Sequence, residues 1–210
     1  MEDKPKTEQE SKDDEGEMIS NWDETVETFD ELNLKPELLR GIYGYGFEKP
    51  SAIQQKAILP IIKQRDVIAQ AQSGTGKTAA FAIGSLQLVD VSKDEIQCLV
   101  LSPTRELAQQ TSIVYQFLGE CLKVKVTLLI GGTKVGADLD KLREGPQVLV
   151  GSPGRVLDLI RRKQVSLAYL QTFILDEADE MLSKGFIENI KEIISLIPTT
   201  TKIYYLVPQH

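Results

Sequence analysis

Histidine is almost missing from these 210 residues; the single one, His210, is the last. No imidazole is therefore placed for catalysis inside a folded domain. Cysteine is nearly as scarce. Cys98 and Cys121 form no close-spaced pair, so both read as buried thiols of a reducing compartment rather than as a disulfide. No apolar run approaches the length that crosses a bilayer, and no basic-then-apolar signal segment opens the chain. A membrane is not an expected partner. An excess of positive charge is also absent. The net charge is −7, and the acids crowd into one stretch. Residues 1–20 carry eight acids against three lysines, which leaves the other 190 residues close to neutral. Residues 1–22 read as a disordered acidic tail. The near-neutral remainder excludes a uniformly basic surface, so any nucleic-acid site must be local.

What is present is a regular alternation. Short helices are expected around Leu34–Arg40, entered through Pro36, and from Ser51, a candidate N-cap, to Ile62. Short apolar runs follow at Asp66–Ala69, Cys98–Leu101, Val124–Ile130, Val148–Val150, Phe173–Leu175 and Ile203–Leu206. Helical segments separate them near 77–89, 104–122, 134–143, 154–163 and 187–197. Continuous apolar runs suit strands covered on both faces. The expected fold is α/β: a doubly wound, mainly parallel sheet over residues 23–206, with ligands at the carboxyl ends of its strands. Ile187, Ile190, Ile193, Ile194 and Ile197 form a core stripe at helical spacing.

The strongest chemical signal is Ala71-Gln72-Ser73-Gly74-Thr75-Gly76-Lys77-Thr78, directly after an apolar strand. Gly74 and Gly76 let the backbone wrap a phosphate with its N–H groups pointing inward. The helix that follows adds positive potential. Lys77 is placed for the β- and γ-phosphates of ATP, and the Thr78 hydroxyl for Mg²⁺. Ala71 stands where a first glycine is usual in such loops. The second signal is Phe173-Ile174-Leu175-Asp176-Glu177-Ala178-Asp179, a strand ending in carboxylates. Asp176 suits Mg²⁺, directly or through water. Glu177 suits a general base for the attacking water. Two acids after a strand are commonly helix N-terminal residues; a phosphate loop about 100 residues upstream favours the catalytic reading.

Together, Asp176-Glu177-Ala178-Asp179 and the glycine-rich loop resemble the DEAD-box RNA helicases. The run Leu38 to Gln55, with Gly46-Phe47-Glu48-Lys49-Pro50-Ser51-Ala52-Ile53-Gln54 at its centre, is similar to the branch of that family that includes translation initiation factor 4A. The similarity runs from about Phe29 to Leu206. It implies a RecA-like domain with an adenine-recognition segment at 29–55, where Phe47 stacks on the base, Gln54 bonds its edge and Lys49 lines the same pocket. A glutamine amide offers the donor and acceptor that the adenine edge needs. The ATP-contacting set is then Phe47, Lys49, Gln54, Ser73, Gly74, Thr75, Gly76, Lys77, Thr78 and Ala79. Catalysis falls to Lys77, Asp176 and Glu177, and the metal to Thr78 and Asp176.

Three segments sit at strand carboxyl ends and combine N–H groups, a hydroxyl and often an arginine. They are Pro103-Thr104-Arg105, Ile130-Gly131-Gly132-Thr133 and Ser152-Pro153-Gly154-Arg155. That chemistry suits sugar–phosphate contacts without base reading. The family resemblance implies that Pro103, Thr104, Arg105, Gly131, Gly132, Ser152, Pro153, Gly154 and Arg155 grip RNA. Ser152 replaces the threonine usual there and keeps the hydroxyl. No aromatic residue interleaves with these segments in sequence, so recognition should be largely sequence-independent. Arg161-Arg162-Lys163 reads as a solvated helix end more readily than as an extension of this surface.

The family pattern stops early. After Ile203–Leu206 the resemblance implies a Ser-Ala-Thr motif and a second RecA-like domain; the sequence instead gives Val207-Pro208-Gln209-His210. A cut chain, a shortened one or a shifted reading frame each produce such an end. Arginine fingers of the second domain contribute roughly 10³–10⁵ in rate. This chain alone is therefore expected to bind nucleotide weakly, hydrolyse it slowly and leave duplexes paired. The implied setting is translation initiation in the cytoplasm, as a monomer with a scaffold protein as partner. Ribosome assembly, a splicing-junction complex or the nucleus stay open as alternatives, as does a non-catalytic binding module.

Overall fold

The computed structural model describes residues 25–71 and 74–208. The acidic tail, Gln72, Ser73, Gln209 and His210 lie outside the described residues. Within them, six parallel strands form one sheet: β1 Ile68–Ala71, β2 Cys98–Leu101, β3 Val126–Leu129, β4 Val148–Gly151, β5 Thr172–Leu175 and β6 Lys202–Pro208. The order across the sheet is β1-β6-β5-β2-β4-β3. Helices α1 Pro36–Tyr45, α2 Ala52–Ile62, α3 Lys77–Leu88 and α4 Arg105–Gly119 belong to the first half of the chain. Helices α5 Val135–Arg143, α6 Pro153–Arg161, α7 Ala178–Ser183 and α8 Ile187–Leu196 belong to the second.

The strand pattern explains the layering. All four residues of β2, of β4 and of β5 are buried. Successive strand side chains point to opposite faces. Cys98, Val100 and Ile174 join one apolar cluster with Leu38, Ile58, Phe81 and Leu118. Leu99, Leu101 and Phe173 join a second with Val156, Leu159, Ile190 and Ile193. The edge strands β1 and β3 bury only alternate residues. The expected doubly wound α/β sheet is therefore the one observed.

Several boundaries differ from the sequence reading. β1 forms at 68–71 rather than 66–69, because its ladder begins at Ile68 opposite Tyr205, while the Asp66 side chain stays 87% exposed. Val207 and Pro208 continue β6 beyond Leu206, since Gln70 and Ala71 of β1 offer them ladder partners. α1 runs on to Tyr45 and stops where Gly46, at φ 99°, turns left-handed and donates its N–H to the Ile42 and Tyr43 carbonyls. α7 was not expected; it opens inside the acidic tetrad. Ile187 is 40% exposed, so the core stripe of α8 is narrower than its periodicity suggested. Cys98 is buried as expected, whereas Cys121 is only half-buried; both are free thiols.

Because every strand is parallel, all carboxyl ends meet along one edge of the sheet. The strand order divides that edge in two. β1 and β5 deliver the glycine-rich loop and the acidic tetrad on either side of β6. β2, β4 and β3 deliver the three hydroxyl- and arginine-bearing segments beside them.

Candidate active site

The glycine-rich loop leaves β1 and enters α3. Ala71 is the last strand residue, buried and paired opposite Pro208. Extended backbone accepts any side chain there, so the missing first glycine costs the loop nothing. The left-handed turns fall on Gly74 (φ 80°) and Gly76 (φ 89°), where a Cβ is disfavoured. Space is the second constraint at Gly76: a Cβ would approach Gln54 Nε2 to 2.6 Å. α3 starts at Lys77, so its unpaired N–H groups open toward the loop.

The Lys77 ammonium is buried, and its Nζ has no hydrogen-bond acceptor among the described residues. Its nearest counter-charge is Glu177 Oε1 at 3.9 Å. Asp176 directly follows β5, with its N–H donated to the Leu101 carbonyl at 2.9 Å. Only 6% of it is exposed. Burial, then the neighbouring Glu177 carboxylate, pushes the Asp176 carboxyl up to about 6, against the pull of Lys77 and of the Thr111 hydroxyl. Glu177 follows in a left-handed conformation, φ 50° and ψ 52°. A non-glycine residue rarely sits there, and held strain of this kind clusters at functional sites. These groups line a cleft of about 560 Å³ with Gly74, Gly76, Thr78 and Ala79. Asp179 lies in the first turn of α7.

No group of three or more histidine, cysteine, aspartate or glutamate side chains able to hold a metal ion occurs among the described residues. Thr78 and Asp176 both line the cleft. One hydroxyl and one buried carboxylate fit Mg²⁺ only as part of a shared shell, completed by phosphate oxygens and water. The unsatisfied Lys77 ammonium beside them fits the same polyphosphate.

The adenine-recognition residues separate into three cases. Phe47 lines the cleft and stacks on Tyr45, centroids 5.0 Å apart at 22°. Gln54 is buried and already committed. Its Oε1 accepts from the Ser51 N–H at 2.9 Å, and its Nε2 donates to the Gly76 carbonyl at 3.4 Å. Ser51 adds a hydroxyl bond to the Thr75 carbonyl at 2.8 Å. In this structure Gln54 therefore ties the start of α2 to the phosphate loop and does not line the cleft. Lys49 is exposed and does not line it either. Conversely, Tyr45, Leu107, Gln110, Thr111, Ile113 and Val114 do, and sequence reasoning missed them. The three-to-four spacing of Leu107, Gln110, Thr111 and Val114 on one face of α4 was the available signal.

The other half of the edge carries a depression of about 620 Å³. Pro103, Thr104, Arg105, Gly131, Ser152, Gly154 and Arg155 line it, so the three segments do meet. Gly132 is exposed beside it and Pro153 is buried as the first residue of α6. Several of these side chains are held by neighbouring residues. Thr104 caps α4 by accepting the Leu107 N–H at 3.2 Å. The Arg105 guanidinium lies over Gly132, where a Cβ would fall 2.6 Å from its Nη1. Arg155 Nη1 donates to Asp138 Oδ2 at 2.5 Å and Nη2 to the Thr133 carbonyl at 3.0 Å. Arg155 is thus a structural clamp as well as a candidate RNA contact. Phe186, after the left-handed Gly185 (φ 81°), also lines the depression. An aromatic side chain is therefore present here, although none interleaves in sequence. Arg161 pairs with Glu192, and Arg162 with Asp158, which itself lines the depression.

A doubly wound sheet with a glycine-wrapped lysine and a strand-end carboxylate pair defines the class: a phosphate-loop nucleotide-binding domain. Comparison with known proteins narrows it. The family model DEAD/DEAH box helicase matches residues 51–207, and the chain belongs to that family. It is 57% identical over 192 residues to the ATP-dependent RNA helicase eIF4A of Neurospora crassa, which covers 91% of this chain and 48% of that protein. The eIF4A of Pyricularia oryzae is 56% identical over the same shares. Among solved structures, a DEAD box protein from Methanococcus jannaschii superposes with TM-score 0.80 at 36% identity, over 87% of this chain and 50% of that one. Saccharomyces cerevisiae Dbp5 bound to RNA and ADP BeF3 superposes with TM-score 0.75 at 38% identity, over 86% and 46%. The chain spans about half the length of the curated relatives it matches.

Proposed function

We propose that this chain is the ATP-binding and hydrolysing half of an RNA helicase. The observation that carries the proposal is the buried Lys77 ammonium without an acceptor, facing the buried Asp176 carboxylate across the glycine-turned loop. A buried charge without a hydrogen-bond partner destabilises a protein. A polyphosphate supplies the missing acceptors.

In this reading Lys77 and the loop N–H groups bind the β- and γ-phosphates of ATP. Thr78 and Asp176 hold Mg²⁺, which neutralises charge developing on the phosphate oxygens. Glu177 orients a water molecule for in-line attack on the γ-phosphorus and takes its proton. The new phosphorus–oxygen bond replaces the bond to the β–γ bridging oxygen, and ADP and phosphate leave. Phe47 supplies an aromatic face to the base. Gln54 reaches the adenine edge by turning its amide away from Gly76, the weaker of its two bonds. RNA lies along the second depression, its phosphates met by N–H groups, hydroxyls and arginine donors. Unwinding requires a second domain opposite this edge. The similarity to eIF4A supports translation initiation as the setting; a scaffold protein as partner and the cytoplasm as location belong to the proposal.

Phosphate release measured with and without single-stranded RNA, for wild type and Glu177→Gln, tests the catalytic claim. Loss of a positioned general base lowers turnover by roughly 10²–10⁴. Equal rates for the two proteins would remove Glu177 from the chemistry and favour a binding module.

A further inference from the structure

The Asp176 carboxylate is held from an unexpected direction. α4 begins at Arg105, on the depression of the second half-edge, and runs back under the cleft. Two turns along it, Thr111 is 3% exposed and lines the cleft. A threonine buried in a helix commonly returns its hydroxyl proton to the carbonyl one turn back. Thr111 instead donates it to Asp176 Oδ2 at 3.4 Å. Among the described residues, that hydroxyl is the sole side-chain donor to this carboxylate. A carboxylate able to rotate about its last torsion presents either oxygen, or neither, to a cation. One with a fixed hydrogen bond keeps a set orientation.

We propose that Thr111 is a positioning residue for the metal carboxylate: its hydroxyl anchors Asp176 Oδ2 from below, beside the Glu177 backbone N–H that also bonds this carboxyl, and so sets the orientation in which the group meets a divalent cation bound with nucleotide. The assignment rests on the reading of Asp176 as the carboxylate that meets Mg²⁺. The surroundings favour orientation over mere packing. Apolar and aromatic neighbours would accept a methyl in place of the hydroxyl: Phe81, Val100, Ile174 and Leu206 line the same inner space below the cleft. A valine has nearly the same shape, so what Thr111→Val removes is the hydroxyl, and with it the side-chain donor to the buried Asp176 carboxylate.

The test is binding of a fluorescent ADP analogue to the whole chain, in EDTA and across a Mg²⁺ titration, for wild type, Thr111→Val and Thr111→Ser. Thr111→Val should change affinity in EDTA no more than Thr111→Ser does, and raise the half-saturating Mg²⁺ concentration about tenfold, the lower edge of what losing an outer-shell partner costs a metal site. Thr111→Ser, which keeps the hydroxyl, should return that concentration to the wild-type value. Three results overturn the proposal: an unchanged Mg²⁺ requirement in Thr111→Val, an equal loss in Thr111→Val and Thr111→Ser, or a loss of equal size in EDTA and in Mg²⁺. The last two mark a packing role. Failure of the parent reading looks different. Wild-type protein then binds no analogue, or binds it with no response to Mg²⁺, and both claims fall together.

Discussion

The two halves of the sheet edge handle charge in opposite ways. At the nucleotide cleft, charges are buried and underserved. Lys77 Nζ has no acceptor among the described residues, and the Asp176 carboxyl is pushed up by burial and by Glu177. At the depression beside it, the deepest charge is paired. Arg155 is clamped by Asp138 and Thr133, Arg105 lies over Gly132, and Thr104 caps its own helix. One half holds its charges in a state that a ligand relieves. The other is a finished surface that a ligand joins. Removing a charge should therefore raise stability in the first half and lower it in the second.

The largest effect falls on the finished surface. Asp138 is 1% exposed and the side chain of its partner Arg155 is 11% exposed, so deleting the acid leaves a largely buried guanidinium without its counter-charge. Asp138→Ala should cost about 3–5 kcal/mol, the range for breaking a buried pair by removing one partner. Urea denaturation measures it. A loss near zero would mean that water reaches Arg155, and that this half is no more finished than the other.

The same contrast marks what the sequence discloses. Ala71 to Thr78 and Asp176-Glu177 announce a phosphate site because each residue type is demanded by one ligand at fixed spacing. The sheet is equally legible, since Cys98–Leu101 and Val148–Gly151 are apolar at every position. The clamp is not. Asp138 reads as one more acid on an amphipathic helix, and only the fold brings it to Arg155, 17 residues on. Phe186 was hidden for the same reason, while the α4 face with Thr111 is regularly spaced in sequence and only the fold shows which site it lines. Gln54 shows the converse. Its place in a family motif suggested a free amide, whereas its position three residues after Ser51 commits that amide to the helix start.

The intermediate effect runs the other way and depends on pH. In the folded protein Asp176 titrates at about 6, above its ordinary value of 3.8. Between those values the folded chain keeps a proton that the unfolded chain has released. Stability without nucleotide therefore falls as pH rises from about 4 through 6, and the full penalty stands above that. Asp176→Asn abolishes the titration. It should stabilise the nucleotide-free protein at pH 7.5 by on the order of 2–3 kcal/mol, at 1.36 kcal/mol per pKa unit, with the gain vanishing near pH 4. Chemical denaturation at both pH values reads this directly. A variant less stable than wild type at pH 7.5 would show that the carboxylate is structural, and the contrast between the halves would fail.

The smallest effect sharpens the comparison at one hydroxyl. Thr104 accepts the Leu107 N–H, and this use occupies only a lone pair. Its own proton stays available to a phosphate oxygen. Thr104→Ala should therefore lose about 1 kcal/mol of stability, the usual value of an N-cap, and weaken RNA affinity as well. Thr104→Ser keeps both functions and should match wild type in melting and in RNA binding. The informative result is the ratio between the two losses in Thr104→Ala. If stability falls while affinity for single-stranded RNA holds, the hydroxyl serves the fold alone, and the N–H groups and arginines carry the RNA contact. If both fall, a residue of the finished surface binds a ligand without giving up its place in the structure. The underserved charges of the nucleotide cleft have no such second duty.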